Sequence, residues 1–127
     1  MIDKSNQIFT RVKTAISTIC TEASQTYVNA PAIFPFTHIN QINNSSTADD
    51  LSNNENAVNV TIEITVYTRG DAKLTDAKKI MALADSQMRL MGFRRNYGPT
   101  QIDNLNDTSI CRYLARFSRI IANGDIL

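Results

Sequence analysis

The sequence predicts an α+β fold in which a small, mainly antiparallel or mixed β-sheet is packed on one face by two α-helices. Two stretches with apolar residues at helical spacing predict the helices, and segments with strand-like patterning lie between and after them. A long polar stretch between two predicted strands predicts a flexible hairpin loop. The expected order is α-β-loop-β-α-β-β, within one domain over residues 1–127.

The first helix is predicted over residues 3–23. Its apolar residues recur at i, i+3 and i+4 spacing and comprise Ile8, Val12, Ala15, Ile16, Ile19 and Cys20. Pro31 ends the connection that follows, and aromatic and β-branched residues predict a first strand over Phe34–Ile42. Because proline has no amide hydrogen to donate, we expect Pro35 at the start of this strand or on a sheet edge.

The polar stretch covers residues 43–56 and reads NNSSTADDLSNNEN. Its only apolar residues are one alanine and one leucine, so it cannot bury enough surface to offset the entropy lost on ordering. We therefore expect a mobile loop in the isolated chain. The loop carries three acidic residues, Asp49, Asp50 and Glu55.

The clearest strand is Ala57–Thr68, in which apolar and polar residues alternate without a break. Its predicted core face consists of Val58, Val60, Ile62, Ile64 and Val66. A turn at Arg69–Asp71 leads to a helix predicted over Lys73–Met91, with an apolar stripe of Ala77, Ile80, Met81, Ala84, Met88 and Met91. We expect Asp71 or Thr75 to cap its start and Gly92 to end it.

The last third of the chain predicts a short strand near Phe93–Tyr97, a turn at Gly98–Pro99 and a long final strand over Thr108–Ala122. One face of the final strand is apolar and consists of Cys111, Tyr113, Ala115, Phe117 and Ile121. The other face mixes apolar and polar side chains, namely Ile110, Arg112, Leu114, Arg116, Ser118 and Ile120.

Composition excludes several classes of protein. The chain has 127 residues, 43% of them hydrophobic, which suits a single domain with a real core. A net charge of +1 argues against a dedicated nucleic-acid or membrane-surface binder, and no apolar run is long enough to cross a membrane. Residues 1–5 do not open a signal peptide, and the two cysteines suit a reduced, soluble protein.

No enzymatic constellation stands out. His38 is the single histidine, and we expect it to be a surface or half-buried residue of the first strand. Cys20 and Cys111 lie on predicted apolar faces, which favours core filling over metal binding or nucleophilic chemistry. Glu63 is conceivable as a general base, but spacing places no second carboxylate beside it. A cross-strand pair of Glu63 with Arg112 or Arg116 is the simpler interpretation.

Charge is distributed unevenly along the chain. Arginines crowd the last third, at positions 89, 94, 95, 112, 116 and 119, whereas the polar loop is acidic. Complementary patches on a neutral chain suit self-association, and a head-to-tail contact closes into a ring when the rotation permits. A solvated sheet face with local ion pairs is the alternative. Because Ile110, Leu114 and Ile120 share the face of Arg112 and Arg116, we favour an interface.

Four segments together resemble the tail terminator family, also called tail-completion or minor capsid proteins, of long non-contractile-tailed bacteriophages and prophages. They follow one another in the same order over roughly residues 5–121, although none is a chemical signature alone. The segments are Phe34–Phe36, Glu55–Thr61, Met91–Arg95, and Asn104–Leu105 with Ile110–Tyr113.

The resemblance implies a structural virion protein without enzymatic activity or cofactor. Such a protein forms a ring, typically of six subunits, that caps the tail tube and presents a surface to the head-completion or neck protein. DNA passes through the ring without sequence-specific binding. The expected location is the head-proximal end of the virion tail, and the host cytoplasm during assembly.

We assign the expected subunit and tube interface to nine charged residues: Arg112, Arg116, Glu63, Arg94, Arg95, Asp49, Asp50, Glu55 and Arg69. A neck or head-closure adaptor of the same phages has similar size and is the first alternative. A small enzyme and a nucleic-acid-binding module are further alternatives, weakened by the single histidine and by the near-neutral net charge.

Overall fold

The computed structural model describes residues 1–28, 31–47, 56–103 and 107–127. These residues form two helices and five strands, in the order α1 (Ser5–Ile16), β1 (Glu22–Ser24), β2 (Phe36–Ser46), β3 (Ala57–Arg69), α2 (Lys73–Leu90), β4 (Arg94–Ile102) and β5 (Ile110–Ala122).

The five strands form one mixed sheet in the order β1-β2-β3-β5-β4. β1 runs parallel to β2, and every other neighbouring pair is antiparallel. β3 lies in the centre and pairs along its whole length with β5, from Ala57 opposite Ala122 to Arg69 opposite Ile110. The α+β class with a mixed, mainly antiparallel sheet is therefore confirmed.

The core lies between one face of the sheet and the helices. α1 buries Ile8, Val12 and Ile16, and α2 buries its predicted stripe. The sheet contributes the predicted apolar faces of β3 and β5, in which Ile64, Val66 and Phe117 are fully buried. Since each fully buried aliphatic or aromatic side chain contributes about 1.5–3 kcal/mol, this single layer of contacts dominates the stability.

The first helix is shorter than predicted. It ends at Ile16, where Ser17 turns its hydroxyl back to the carbonyl of Thr14 and Cys20 donates its amide to Ile16. Hydroxyl side chains that bond to nearby backbone compete with helix continuation, which explains the early end. The chain then forms β1, an element that the helical periodicity did not predict.

The second helix agrees with its predicted range, but the predicted cap at its start is wrong. Ala72 occupies the N-cap position, and no side chain caps it. The predicted end is confirmed, since Gly92 adopts a positive φ of 82° immediately after the C-cap residue Met91. A left-handed conformation at this position suits glycine because it has no Cβ.

β2 and β4 extend beyond their predicted ends. Asn43–Ser46 continue β2 past a bulge and pair with residues 58–61 of β3, so the start of the predicted loop is strand. β4 continues through Gly98 and Pro99 to Ile102, where a turn was expected. Backbone pairing with a long neighbour sustains both extensions, although neither contributes a fully buried apolar side chain. The remainder of the predicted loop, residues 48–55, lies outside the described residues, as does the short segment 104–105.

Candidate functional site

The face of the sheet opposite the helices carries Arg94, Arg112 and Arg116 of the sequence-predicted arginines, and we call it the open face. The alternation of β3 and β5 sends every second side chain to this face. Side chains of this face form four rows across the sheet, each with one residue from β2, β3, β5 and β4 in that order. The two rows nearest the Arg69 end of β3 are Phe36, Tyr67, Arg112 and Ile102, then His38, Thr65, Leu114 and Thr100. The next two are Asn40, Glu63, Arg116 and Tyr97, then Asn43, Thr61, Ser118 and Arg94.

Three arginines of this side of the molecule lie over aromatic rings. The guanidinium carbon of Arg69 is 4.7 Å from the centre of the Phe34 ring, and that of Arg116 is 5.0 Å from the centre of the Tyr97 ring. Arg112 lies 5.9 Å from the Tyr67 ring. Each cation–π contact contributes about 0.5–1 kcal/mol at an exposed site. The rings therefore hold the guanidinium groups in place while leaving them charged.

Glu63 pairs across the strands with Arg116, whose Nε donates to Oε2 at 2.8 Å. This is the cross-strand pair that the sequence offered as the simpler interpretation of Glu63. Because both groups are partly exposed, the pair contributes only about 0–1 kcal/mol to stability. Glu63 thus orients Arg116 and neutralises part of its charge.

Arg112 differs from Arg116 in its surroundings. Among the described residues, no carboxylate lies within ion-pair distance of Arg112, which instead lies over Tyr67. Burial raises the pKa of the Tyr67 phenol, and the nearby positive charge of Arg112 only partly opposes this rise. Tyr67 is accordingly neutral at physiological pH, and the positive charge of Arg112 is not cancelled by a phenolate.

The other predicted interface residues divide between two sides of the sheet. Arg94 lies opposite Ser118 on the open face. Arg95 points to the helix side, where its Nη1 donates to Asp85 at 2.9 Å. Arg69 lies at the end of β3 and donates to Asp107 at 2.8 Å. Asp49, Asp50 and Glu55 lie outside the described residues.

The open face also exposes apolar surface. Ile120 is 60% exposed and Tyr97 is 46% exposed, on neighbouring parts of β5 and β4. The sequence placed Ile120 on this face, but it did not reveal Tyr97 as the ring beneath Arg116. That contact depends on a register shift between Arg95 and Tyr97 in β4, which periodicity cannot show.

His38 differs from its prediction as a surface or half-buried residue. It is buried on the open side of β2, where its Nε2 lies 3.2 Å from the carbonyl oxygen of Gln25. The ring of Tyr27 meets the His38 ring edge-on, with 6.2 Å between ring centres. The described chain after β1 therefore packs against the β2 side of the open face, whereas Tyr97 of β4 and Ile120 of β5 are exposed.

Within the described ranges, no group of three or more His, Cys, Asp or Glu side chains is arranged to hold a metal ion. A groove of about 290 Å³ lies between α2 and β4 and is lined by Asp85, Arg95 and Tyr113 among others. Asp85 there accepts hydrogen bonds from both Arg89 and Arg95, so its charge is already paired. In the same described part of the chain, neither helix has the length and apolarity that a membrane span requires.

Comparison with protein-family models found no match for this chain, and comparison with curated proteins found no similar sequence. The fold and the open face are therefore the features from which a function is inferred. They define an α+β protein with a cationic, partly apolar sheet surface that its own helices do not cover.

Proposed function

We propose that this protein is a structural virion protein of the tail terminator type. It forms a ring on the end of a phage tail tube, ends polymerisation of the tube, and provides the surface for head–tail joining. The observation that carries the proposal is the open face, where Arg112, Arg116 and Arg94 lie beside exposed Ile120 and Tyr97. Arginine and aromatic side chains are enriched at protein interfaces, whereas an ordinary wet surface favours lysine and glutamate.

The geometry of the open face supports binding to a large, flat partner better than binding to a small molecule. A sheet face is shallow, and the cation–π contacts hold its arginines in fixed positions over Tyr67 and Tyr97. Pre-positioned side chains lose less entropy on association than mobile ones. The sequence also supplies complementary acidic residues at positions 49, 50 and 55, which suits contact between copies.

The experiment that tests the proposal uses purified tail tubes and the full chain. Negative-stain images are expected to show rings on one end of each tube, and tubes with bound rings are expected to stop growing. The double variant Arg112→Glu and Arg116→Glu is expected to lose binding to tubes while staying folded, because both side chains lie on the face opposite the core. Circular dichroism and a cooperative thermal melt check that the variant is folded.

The matched control inverts the same amount of charge on α1, on the other side of the molecule, with Arg11→Glu and Lys13→Glu. This control is expected to bind tubes like the wild type. Loss of binding in both double variants would indicate a general electrostatic effect and contradict the assignment to the open face. Binding to portal-capped heads rather than to tubes would replace the terminator by a neck or head-closure adaptor.

A further inference from the structure

An apolar cleft lies beside the first half of α2. Ile80 is its buried floor, and Ile19 and Pro35 form its walls, with Asp76 and Lys79 at its rim. Its volume is about 310 Å³. Since a cavity of about 150 Å³ holds a benzene ring, this cleft has room for a branched aliphatic side chain. Ile19 is 44% exposed there, so apolar surface is left in contact with water.

The opposite end of α2 carries the most exposed leucine of the described residues. Leu90 is the last residue of the helix and is 81% exposed. Arg119 donates hydrogen bonds both to the carbonyl of Met91 and to Asp125, which brings the C-terminal residues to the same end of the helix. Ile126 in this segment is 88% exposed. We call Leu90 and Ile126 the apolar tip. At a rise of about 1.5 Å per residue, Leu90 lies about 21 Å along the helix from Asp76.

We propose that the cleft of one copy of this chain receives Leu90 of a second copy. The fit is chemical as well as steric. Asp76 at the rim has no ion-pair partner within the described residues. Arg89, next to Leu90, pairs with Asp85 of its own helix, but its side chain is 59% exposed. Asp85 is also bonded by Arg95, so Arg89 can turn to a new partner without leaving Asp85 unpaired. A leucine that enters the cleft would bring Arg89 towards Asp76.

The contact joins different surfaces, since the cleft and the apolar tip lie at opposite ends of one helix. An exposed apolar residue that fits a pocket elsewhere on the same molecule produces a head-to-tail contact, which closes into a ring or continues as a filament. The inference rests on the proposed function, because it identifies the contact that joins neighbouring subunits of the ring. The open face is then left for the tube or the neck.

The test measures association of the full chain by sedimentation velocity over a concentration series. Leu90→Asp replaces the tip residue that enters the cleft, and Ile19→Asp places a charge in the cleft; each is expected to weaken association about tenfold or more. Asp76→Arg is a second cleft variant that leaves every apolar side chain intact. Leu83→Asp is the matched control, since Leu83 is 37% exposed on α2 between the two contact sites.

Mixing separates a head-to-tail contact from other arrangements. Leu90→Asp keeps an intact cleft and Ile19→Asp keeps an intact tip, so an equimolar mixture is expected to form a heterodimer and nothing larger. Loss of association by Leu83→Asp would indicate antiparallel pairing of α2 with α2 about a two-fold axis and would overturn the head-to-tail contact. A wild type that stays monomeric up to about 1 mM, where even weak contacts are half occupied, would also overturn it.

Failure of this inference and failure of the proposed function give different results. Rings on tubes that persist with Leu90→Asp and Ile19→Asp would overturn the cleft contact and keep the terminator role. Heterodimers from the mixed variants, together with a wild type that does not bind tubes, would keep the contact and overturn the terminator role.

Discussion

Arg119 binds the C-terminal end of α2 from the neighbouring strand β5. Its Nη1 lies 2.6 Å from the carbonyl oxygen of Met91, and its Nη2 lies 3.3 Å from Oδ2 of Asp125. Met91 is the C-cap residue of α2, where carbonyl groups lack partners within the helix and the helix dipole is negative. The guanidinium therefore satisfies an unpaired carbonyl and ties helix, sheet and C-terminal turn together.

Removal of this contact is expected to destabilise the fold. Arg119→Ala should lower the free energy of unfolding by about 1–2 kcal/mol, since it deletes a charge-assisted hydrogen bond at a helix end. Urea denaturation followed by circular dichroism measures the change. Arg94→Ala is the control, because no ion pair of Arg94 occurs within the described residues. Equal losses in the two variants would contradict the role given to Arg119.

Gly98 is expected to be the least replaceable glycine of the described residues. Its φ is +72°, and a Cβ atom there would overlap the carbonyl oxygen of Leu114 and lie 3.0 Å from the amide nitrogen of Thr100. Gly98→Ala should cost about 2–4 kcal/mol, from the left-handed conformation together with a clash against backbone that cannot move aside.

Gly124 is the matched control for Gly98. It has a similar φ of +88°, and a Cβ atom added there would have nothing within 4 Å, so Gly124→Ala should cost only about 1 kcal/mol. Thermal melts of both variants separate conformational strain from the clash. If the two alanine variants melt at the same temperature, close packing of β4 on β5 at Gly98 is not a determinant of stability.

The elements with strict periodicity were predictable from the sequence. The alternation over residues 57–68 and the helical stripe over 73–91 give β3 and α2 almost to the residue. In both elements one face is buried against a large core, so burial alone selects the pattern. β1 and the second half of β4 were missed because their residues pair through backbone atoms and bury little, which leaves no pattern to read.

The candidate site was predictable only in part. The alternation of β5 placed Arg112 and Arg116 together on one face, and the structure agrees. Alternation within the predicted strand at residues 93–97 is enough to place the neighbouring Arg94 and Arg95 on opposite sides of the sheet, so only Arg94 joins the open face. It could not place Tyr97 beside Arg116, because that pairing follows a register shift between Arg95 and Tyr97. Nor could the alternation decide whether Glu63 pairs with Arg112 or with Arg116. That choice depends on the register between β3 and β5, which places Glu63 opposite Arg116.

Asp107 is expected to make stability depend on pH in the acid range. Its Oδ1 accepts hydrogen bonds from the side chain and the amide of Ser109, and Arg69 donates to its Oδ2, which together lower the pKa of the Asp107 carboxyl. A lowered folded-state pKa stabilises the fold at pH values above the unfolded pKa of about 3.9. The contribution is lost as the pH falls through the lower, folded value.

Asp107→Asn should therefore be less stable than the wild type at pH 6, and the difference should shrink as the pH falls below about 4. Urea denaturation at several pH values between these limits measures it. Asp71→Asn is the control, because the Asp71 carboxylate is exposed and has no hydrogen bond within the described residues. A difference that stays constant across the whole pH range would contradict the contribution of the Asp107 charge.

The two cysteines are expected to be unreactive in the folded protein. Cys20 is buried beside β2, with its Sγ 3.3 Å from the hydroxyl oxygen of Thr37, and burial raises the pKa of its thiol. Since the thiolate is the reactive form, attack on a disulfide reagent requires exposure that only opening of the fold provides. Cys111 is buried in the core face of β5, so a reagent cannot reach its thiol in the folded protein either.

The rate of reaction with a chromogenic disulfide reagent at pH 8 should consequently be that of a free thiol multiplied by the fraction of unfolded protein, which is about 10⁻³–10⁻⁶. Full reaction of both thiols is expected in 6 M guanidinium chloride, because only hyperstable domains have unfolding midpoints above about 5 M. Ile126→Cys supplies an exposed thiol in the same molecule, and its immediate reaction shows that the reagent is active. Rapid reaction of a second thiol in that variant would mean that Cys20 or Cys111 is accessible without unfolding, which contradicts their place in the core.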